Sequence, residues 1–395
     1  MRRLLVCTLG ALVFVGCGDG SGSDPAAHPS TTAAVTLSAP TATPIVVAPS
    51  ANPSASPSVA ATPAEVAWAA GGNSLLRSDD GGFHWRDTGR GASGLAFVTR
   101  DVGWIFSEGG QLSHTVDGGR TWTDQVPNIV GAAPVMLDLA TVDGIHAVVV
   151  GGAPRLDITR LGPPAALYTA DAGATWIPAA LPPFDPDLLA DVDLLSACLT
   201  ASGLGLATGT DIKNFTTSIV LLTHDGGRSW DDITDRLPHR LFAQVACGTD
   251  GRLWFLGAES TVMVSADGGA SWEDHGAAFP PHRTLEGGVF LADGVAWLAA
   301  LDAPPGHRLL AYRSDDGGES WAEHVIAPEV IEIEKLGLAA LDGAHAVVVA
   351  QDEHPLAFPR SSFGRSWVTI DGGATWAATE HPEPIDALWD VALVP

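Results

Sequence analysis

Thr115-Val116-Asp117-Gly118-Gly119-Arg120-Thr121-Trp122 is one of seven copies of a single pattern, Ser/Thr-x-Asp-x-Gly-x-x-Trp, in a chain of 395 residues. The other copies run Ser78 to Trp85, Thr169 to Trp176, Thr223 to Trp230, Ser265 to Trp272, Ser314 to Trp321 and Thr369 to Trp376. The residue before each Trp is Thr or Ser in six copies and His84 in the first. This is the chemistry of a tight turn. Asp80, Asp117, Asp171, Asp225, Asp267, Asp316 and Asp371 accept backbone N–H groups, glycine supplies positive φ, and the hydroxyls pair with local backbone. Trp85, Trp122, Trp176, Trp230, Trp272, Trp321 and Trp376 then return as the first large apolar anchor of the following strand.

Successive box tryptophans lie 37, 54, 54, 42, 49 and 55 residues apart, the spacing of four-stranded propeller blades joined by variable loops. Within a unit the order repeats: a short apolar strand A (Leu95 to Val98), a strand B (Gly103 to Phe106), a strand C entering the turn (Gln111 to Thr115) and a strand D from Trp122. Units three and seven share text, Asp143-Gly144-Ile145-His146-Ala147 against Asp342-Gly343-Ala344-His345-Ala346. Unit one opens at Val66-Ala67-Trp68-Ala69 with a B pattern and has no A strand before it, whereas Ala387 to Leu393 has an A pattern and is followed by nothing. The expectation is an all-β fold. It is a seven-bladed propeller of four-stranded antiparallel blades, its ring closed by the C-terminal strand completing blade one.

Composition narrows the function. Against 46 acidic residues stand 20 basic ones, only two of them lysines, for a net charge of −26, which repels phosphate backbones and excludes nucleic acid as a natural partner. Residues 1–17 read as a lipoprotein-type signal: Arg2 and Arg3, an apolar run too short to span a bilayer, then Phe14-Val15-Gly16-Cys17, which resembles a lipoprotein cleavage box and marks Cys17 for lipidation. Residues 18–63, rich in Ala, Ser, Thr and Pro with no aromatic residue, cannot bury enough surface to fold and read as a disordered tether. Residues 64–395 hold the propeller. The predicted location is the cell envelope, outer membrane or cell surface, with the membrane touched through the lipid alone.

The repeats resemble Asp-boxes, also called bacterial neuraminidase repeats, over about residues 64–395. Sialidases, sortilin-type receptors, xyloglucanases and photosystem II assembly and stability factors carry them. Gly103-Trp104 followed by the Thr115 to Trp122 box is most similar to the last family, whose bacterial members are lipid-anchored seven-bladed propellers. The resemblance implies that fold and anchor. Members serving photosystems use a basic, arginine-rich surface, from which a charge of −26 departs. In these families the boxes face away from the ligand, implying structural rather than calcium-binding aspartates. A sialidase needs a tyrosine nucleophile and an Arg-Ile-Pro motif. Here the tyrosines are Tyr168 and Tyr312, one or two residues ahead of boxes, and no Arg-Ile-Pro occurs.

Strand order puts the D–A and B–C connections on the rim opposite the boxes, where the units differ most. Pro238-His239-Arg240, Pro281-His282-Arg283 and Gly306-His307-Arg308 fall there. Clustered, they form an anion-recognition surface; the alternative is that the arginines pair with acids such as Asp235 and Glu286. A zinc site from His239, His282 and His307 has no ligand-spacing signature. The acidic stretch Asp185, Asp187, Asp191, Asp193 reads as a solvated loop. Cys198 and Cys247 fall in neighbouring A strands of an exported protein, where disulfides persist. Measured back from Gly209 and Gly257 they differ by one residue, and such a slip turns a side chain to the other face, leaving a bridge and two buried thiols both open. The functional expectation is a monomeric, cofactor-free and metal-free binding protein: a receptor, scaffold or assembly factor for an envelope protein or glycan. The competing expectations are a glycoside hydrolase of sialidase or xyloglucanase type and a photosystem-type membrane-complex assembly factor.

Overall fold

The computed structural model describes residues 65–395 apart from 108–109, 126, 128–134, 153–163, 184–191, 212–217, 238–241, 282, 303–307, 329–332, 355–360, 383–384 and 386. The signal, Cys17 and the tether lie outside the described residues. The rest forms seven antiparallel four-stranded sheets in A-B-C-D order, the expected blades. Blade one runs Asp390–Val394, Val66–Gly71, Ser74–Ser78 and Arg86–Asp87. Its first two members come from opposite ends of the domain: Val66 pairs with Val394, Trp68 with Ala392 and Ala70 with Asp390. The expected A strand from Ala387 begins later, at Asp390, with the Trp389 N–H still donating to the Ala70 carbonyl at 3.0 Å.

Every blade is buried on both faces, and alternation along a strand decides which neighbour each side chain meets. In the B strand of blade seven, Ala346, Val348 and Ala350 pack toward blade six, whereas Val347 and Val349 pack toward blade one. The apolar residues accordingly sort into seven clusters, one per blade interface, among the described residues. Trp68, Trp104, Trp254 and Trp297 occupy the same B-strand position in blades one, two, five and six, facing the next blade with 0 to 1% exposure. The box tryptophans differ from expectation in one respect. Each D strand starts one residue after its Trp and spans as few as two residues, as in Asp231–Asp232, so the Trp closes the turn and wedges between blades.

That interface explains the box glycines. Gly227, the second of blade four, would place a Cβ 2.3 Å from Val148 of blade three, whereas Gly226 faces open space, with nothing nearer than 4.0 Å. Both have positive φ, 75° and 84°. Blade three makes the same distinction naturally, with Ala172 at φ 58° in the first glycine position and glycine kept in the second, Gly173. The first position therefore asks only for a left-handed backbone; the second asks for the absence of a side chain.

Cys198 and Cys247 are bridged, with Cα atoms 5.5 Å apart. Cys198 is paired with Leu206 and Cys247 with Leu253, and all four belong to the interface between blades four and five. The one-residue offset favours the bond, because stacked blades meet through opposite faces and facing residues must differ in parity.

The two glycines of blade four test the interface directly. Gly226→Ala should cost about 1–2 kcal/mol, the strain of a left-handed alanine. Gly227→Ala should cost that plus roughly 1–3 kcal/mol of overpacking against Val148, seen as a clearly larger drop in Tm.

Candidate functional site

The two rims are built on different principles. On the box rim one set of bonds recurs seven times. The first hydroxyl of each box accepts the N–H of its second glycine at 2.8 to 3.0 Å, as Ser78 does from Gly82 and Thr223 from Gly227. One carboxylate oxygen of Asp117 accepts that hydroxyl and the Thr121 N–H, and the other accepts the Thr121 hydroxyl at 2.6 Å. In blade one His84 takes the place of the second hydroxyl, its Nδ1 2.6 Å from Asp80 Oδ2, and this bond raises the imidazole pKa. Hydroxyl hydrogen bonds, above all from Thr121, Ser271 and Ser320, pull Asp117, Asp267 and Asp316 down to about 2. Carboxylates so filled with N–H and O–H donors serve the turn and present no oxygen cage for calcium.

Arginines extend this rim from blade to blade. Arg77 of blade one donates to the Gly118 carbonyl in the box of blade two, its guanidinium 5.0 Å from the ring centre of Trp68. Arg252 of blade five reaches Gly317 of blade six at 2.7 Å. Arg120 and Arg228 close onto carbonyls of their own boxes.

A second ring of bonds, which no sequence motif marks, lines the channel. At one register position of the A strands, a polar side chain accepts a backbone N–H of the next blade: Asp390 from Leu95 at 2.7 Å, Asp138 from Ala197 at 2.9 Å, Ser196 from Val245 at 3.3 Å, and Gln244 from Gly287. Glu286 follows on the A strand of blade six. Burial pushes its carboxyl up to about 8 and that of Asp390 up to about 7, the latter aided by nearby Asp138, which burial also raises.

Of the predicted recognition residues, Arg283 and Arg308 are described on the opposite rim. His239, Arg240, His282 and His307 lie outside the described residues. Arg283 and Arg308 are committed within blade six. Arg283 is buried, ion-paired with Asp302, and its Nε donates to the Tyr312 hydroxyl at 3.0 Å. Arg308 Nε lies 2.7 Å from Asp302, and its Nη1 lies 3.7 Å from Glu323. Their partners are thus Asp302 and Glu323, supplied by neighbouring strands, rather than Asp235 and Glu286. Tyr312 donates to Glu323 at 2.7 Å, a tyrosine–carboxylate pair of the type a sialidase would use. The residue is 2% exposed and burial drives its pKa to about 12, the opposite of an activated, reachable nucleophile. Asp193, expected in a solvated loop with Asp185, Asp187 and Asp191, instead belongs to the strand Val192–Leu199 and is buried. Val192 and Leu194 pull that segment into the interface of blades three and four; the other three aspartates lie outside the described residues.

A pocket of about 280 Å³ opens on this same rim between blades one and two. It is lined by Asn73 and Gln111 of the B–C turns, Arg90 of the D–A connection, and Ser107 and Ser113, over Ile105 and Phe106.

No family model matches the chain, and no curated protein matches it. Solved structures do. One of YCF48 bound to D1 peptide has a TM-score of 0.50 and 18% identity, covering 82% of this chain and 87% of the other. YCF48 from Cyanidioschyzon merolae gives 0.47 and 17%, covering 72% and 83%. The GH74 xyloglucanase from Xanthomonas campestris gives 0.37 and 14%, covering 81% and 64%. At such identity the likeness speaks for the fold, and the first of these agrees with the Asp-box propeller.

The two sets of carboxyls make stability depend on pH with opposite signs. Box aspartates, lowered in the folded state, contribute stability above about pH 4 that is lost as pH falls toward about 2. Glu286 and Asp390, raised in the folded state, contribute stability below about pH 4 that is lost as pH rises through about 7–8, at about 1.4 kcal/mol per group and pH unit, and Asp138 is shifted in the same direction. Tm measured from pH 2 to 9 should therefore peak near about pH 4–5, and Glu286→Gln should flatten the alkaline limb while leaving the acid limb unchanged.

Proposed function

We propose that this chain is a lipid-anchored cell-envelope binding protein, a receptor or scaffold that holds its partner on the rim opposite the Asp-boxes. The observation that carries this reading is the asymmetry between rims. The box rim repeats one bonding scheme seven times, and the pocket of about 300 Å³ that it holds between blades three and four is walled by that scheme through Asp225, Gly226 and Arg228, whereas the opposite rim gathers a pocket whose lining is particular to blades one and two and the loops that vary in length from blade to blade. Recognition concentrates on variable loops held by a rigid scaffold. The similar propeller solved as YCF48 bound to D1 peptide lends support, since the same fold there holds a peptide. Phe14-Val15-Gly16-Cys17 supplies the anchor, and residues 18–63 the tether.

Charge defines the setting. The described arginines at the box rim and in blade six bond to carbonyls and carboxylates of this chain, and the net charge of the chain is −26. Such a field favours neutral or cationic partners and speeds their encounter at low salt.

Affinity capture with the full chain in detergent, from host envelope extract, tests the reading. A specific component should be retained by the wild type and by Val116→Glu, which alters an exposed box-rim residue. It should be lost at least about tenfold when His239, Arg240, His282 and His307 are replaced by alanine, the scale of one or two interfacial contacts. Retention indifferent to the rim would contradict the proposal. Turnover of a polysaccharide or sialoside that one rim carboxylate substitution abolishes would replace it with the hydrolase reading.

A further inference from the structure

The pocket between blades one and two is built rather than incidental. Its turn, Gly71-Gly72-Asn73, is left-handed at Asn73, with φ 70°, and its two glycines pack against Ala387 and Leu388, which lead into the closing strand. The Asn73 carboxamide lies against Gly91, where a Cβ would come within 2.2 Å of Oδ1. That glycine lets the D–A connection pass beside the turn. On the other side, the channel-ring position of blade two is Gly94, and the Phe106 ring lies where a side chain would stand, 2.2 Å from an added Cβ. Ring closure and the missing side chain of Gly91 together shape the cavity, while the Phe106 ring over Gly94 packs toward blade three.

Its polar groups divide into two sets. Arg90 is already neutralised: Nη2 donates to Asp124 Oδ1 and to Ser113 Oγ, both at 2.7 Å, and the guanidinium lies 5.3 Å from the ring centre of Trp122. Asp124 is held below the usual carboxylate range by the Ser113 hydroxyl and by Arg90, so the pair persists as an ion pair. Asn73 and Gln111 are exposed, and neither amide has a partner among the described residues. They present two acceptors and four N–H donors around a floor of buried Ile105 and Phe106. Among the described residues the site is thus electrically neutral, rich in paired donors and acceptors, and at the small end of the roughly 300–1,000 Å³ typical of ligand pockets.

From this arrangement we infer that the pocket binds a single neutral sugar residue, its adjacent hydroxyls bridged by the Asn73 and Gln111 amides and its ring lying over Ile105, which faces blade one. Vicinal hydroxyls, each both donor and acceptor, match planar amides. A free carboxylate or phosphate finds no unpaired cation here, and the −26 protein repels it. An extended peptide requires a longer trough than one ring-sized cavity. The inference rests on the reading of this rim as the recognition face, and it names a ligand class for one part of it.

Saturation-transfer NMR and titration of the full chain in detergent, with glucose, N-acetylglucosamine and N-acetylneuraminic acid, form the test. At least one of the two neutral sugars should bind saturably, and the anionic sugar should not. The double variant Asn73→Gly, Gln111→Ala should weaken that binding at least about tenfold, the loss of several hydrogen bonds. Its Tm should stay unchanged, since glycine accepts the φ of Asn73 and Gln111 is exposed. Equal binding by the double variant, no saturation by either neutral sugar, or preference for N-acetylneuraminic acid would overturn the inference. Because the titration reads the pocket alone, its failure alongside intact rim-dependent capture would remove the sugar and leave the scaffold reading standing.

Discussion

A four-stranded blade in this protein has two apolar faces and cannot bury either one alone. Each face is covered only by a neighbour, and a linear array of seven would leave two faces exposed. Pairing of Asp390–Val394 with Val66–Gly71 removes both. Every other feature presupposes that closure: the alternation of Ala346 to Ala350 between two interfaces, the tryptophans wedged at blade junctions, and the channel ring in which Asp390 reaches Leu95. The pocket between blades one and two exists because the segment leading into the closing strand packs under its turn.

Around that constraint, the few positive charges act mainly as connectors. Arg77 and Arg252 carry one blade to the box of the next, Arg283 and Arg308 hold the outer strands of blade six, and Lys335 lies 3.8 Å from the ring centre of Trp389. The negative charge serves two structural ends of opposite pH behaviour. Box aspartates are ionised anchors for N–H and O–H donors, while Asp138, Glu286 and Asp390 line a water-reachable channel in which burial favours the protonated form. As pH changes, the protein thus balances one set of carboxyls against the other.

Blade number, strand order and ring closure were legible in the sequence because each rests on a local pattern repeated seven times or on a missing strand. The bridge between Cys198 and Cys247 is ambiguous from spacing alone, because parity within one sheet does not carry over to residues of two sheets; stacked blades invert it. Arg283 and Arg308 were recognised as rim residues, but their partners Asp302 and Glu323 sit on neighbouring strands, in a pairing visible only once the register of blade six is known. Asp193 was read from local acidity, and the apolar alternation of Val192 and Leu194 overrode it. The channel ring had one usable signal, a polar residue recurring a few positions into each A pattern at Asp138, Ser196, Gln244 and Asp390. Bulges in the A strands shift the alignment by a residue and hide it.

Closure is most directly measured by unfolding a chain that ends at Trp389 beside the full chain, following tryptophan fluorescence and amide hydrogen exchange. Loss of Asp390–Val394 exposes the inner edge of Val66–Gly71 and uncovers the contacts of Val391 and Leu393. Cooperative unfolding should collapse, with protection lost in blades one, two and seven before the others. A truncated chain that kept the Tm of the full chain and uniform protection would contradict it.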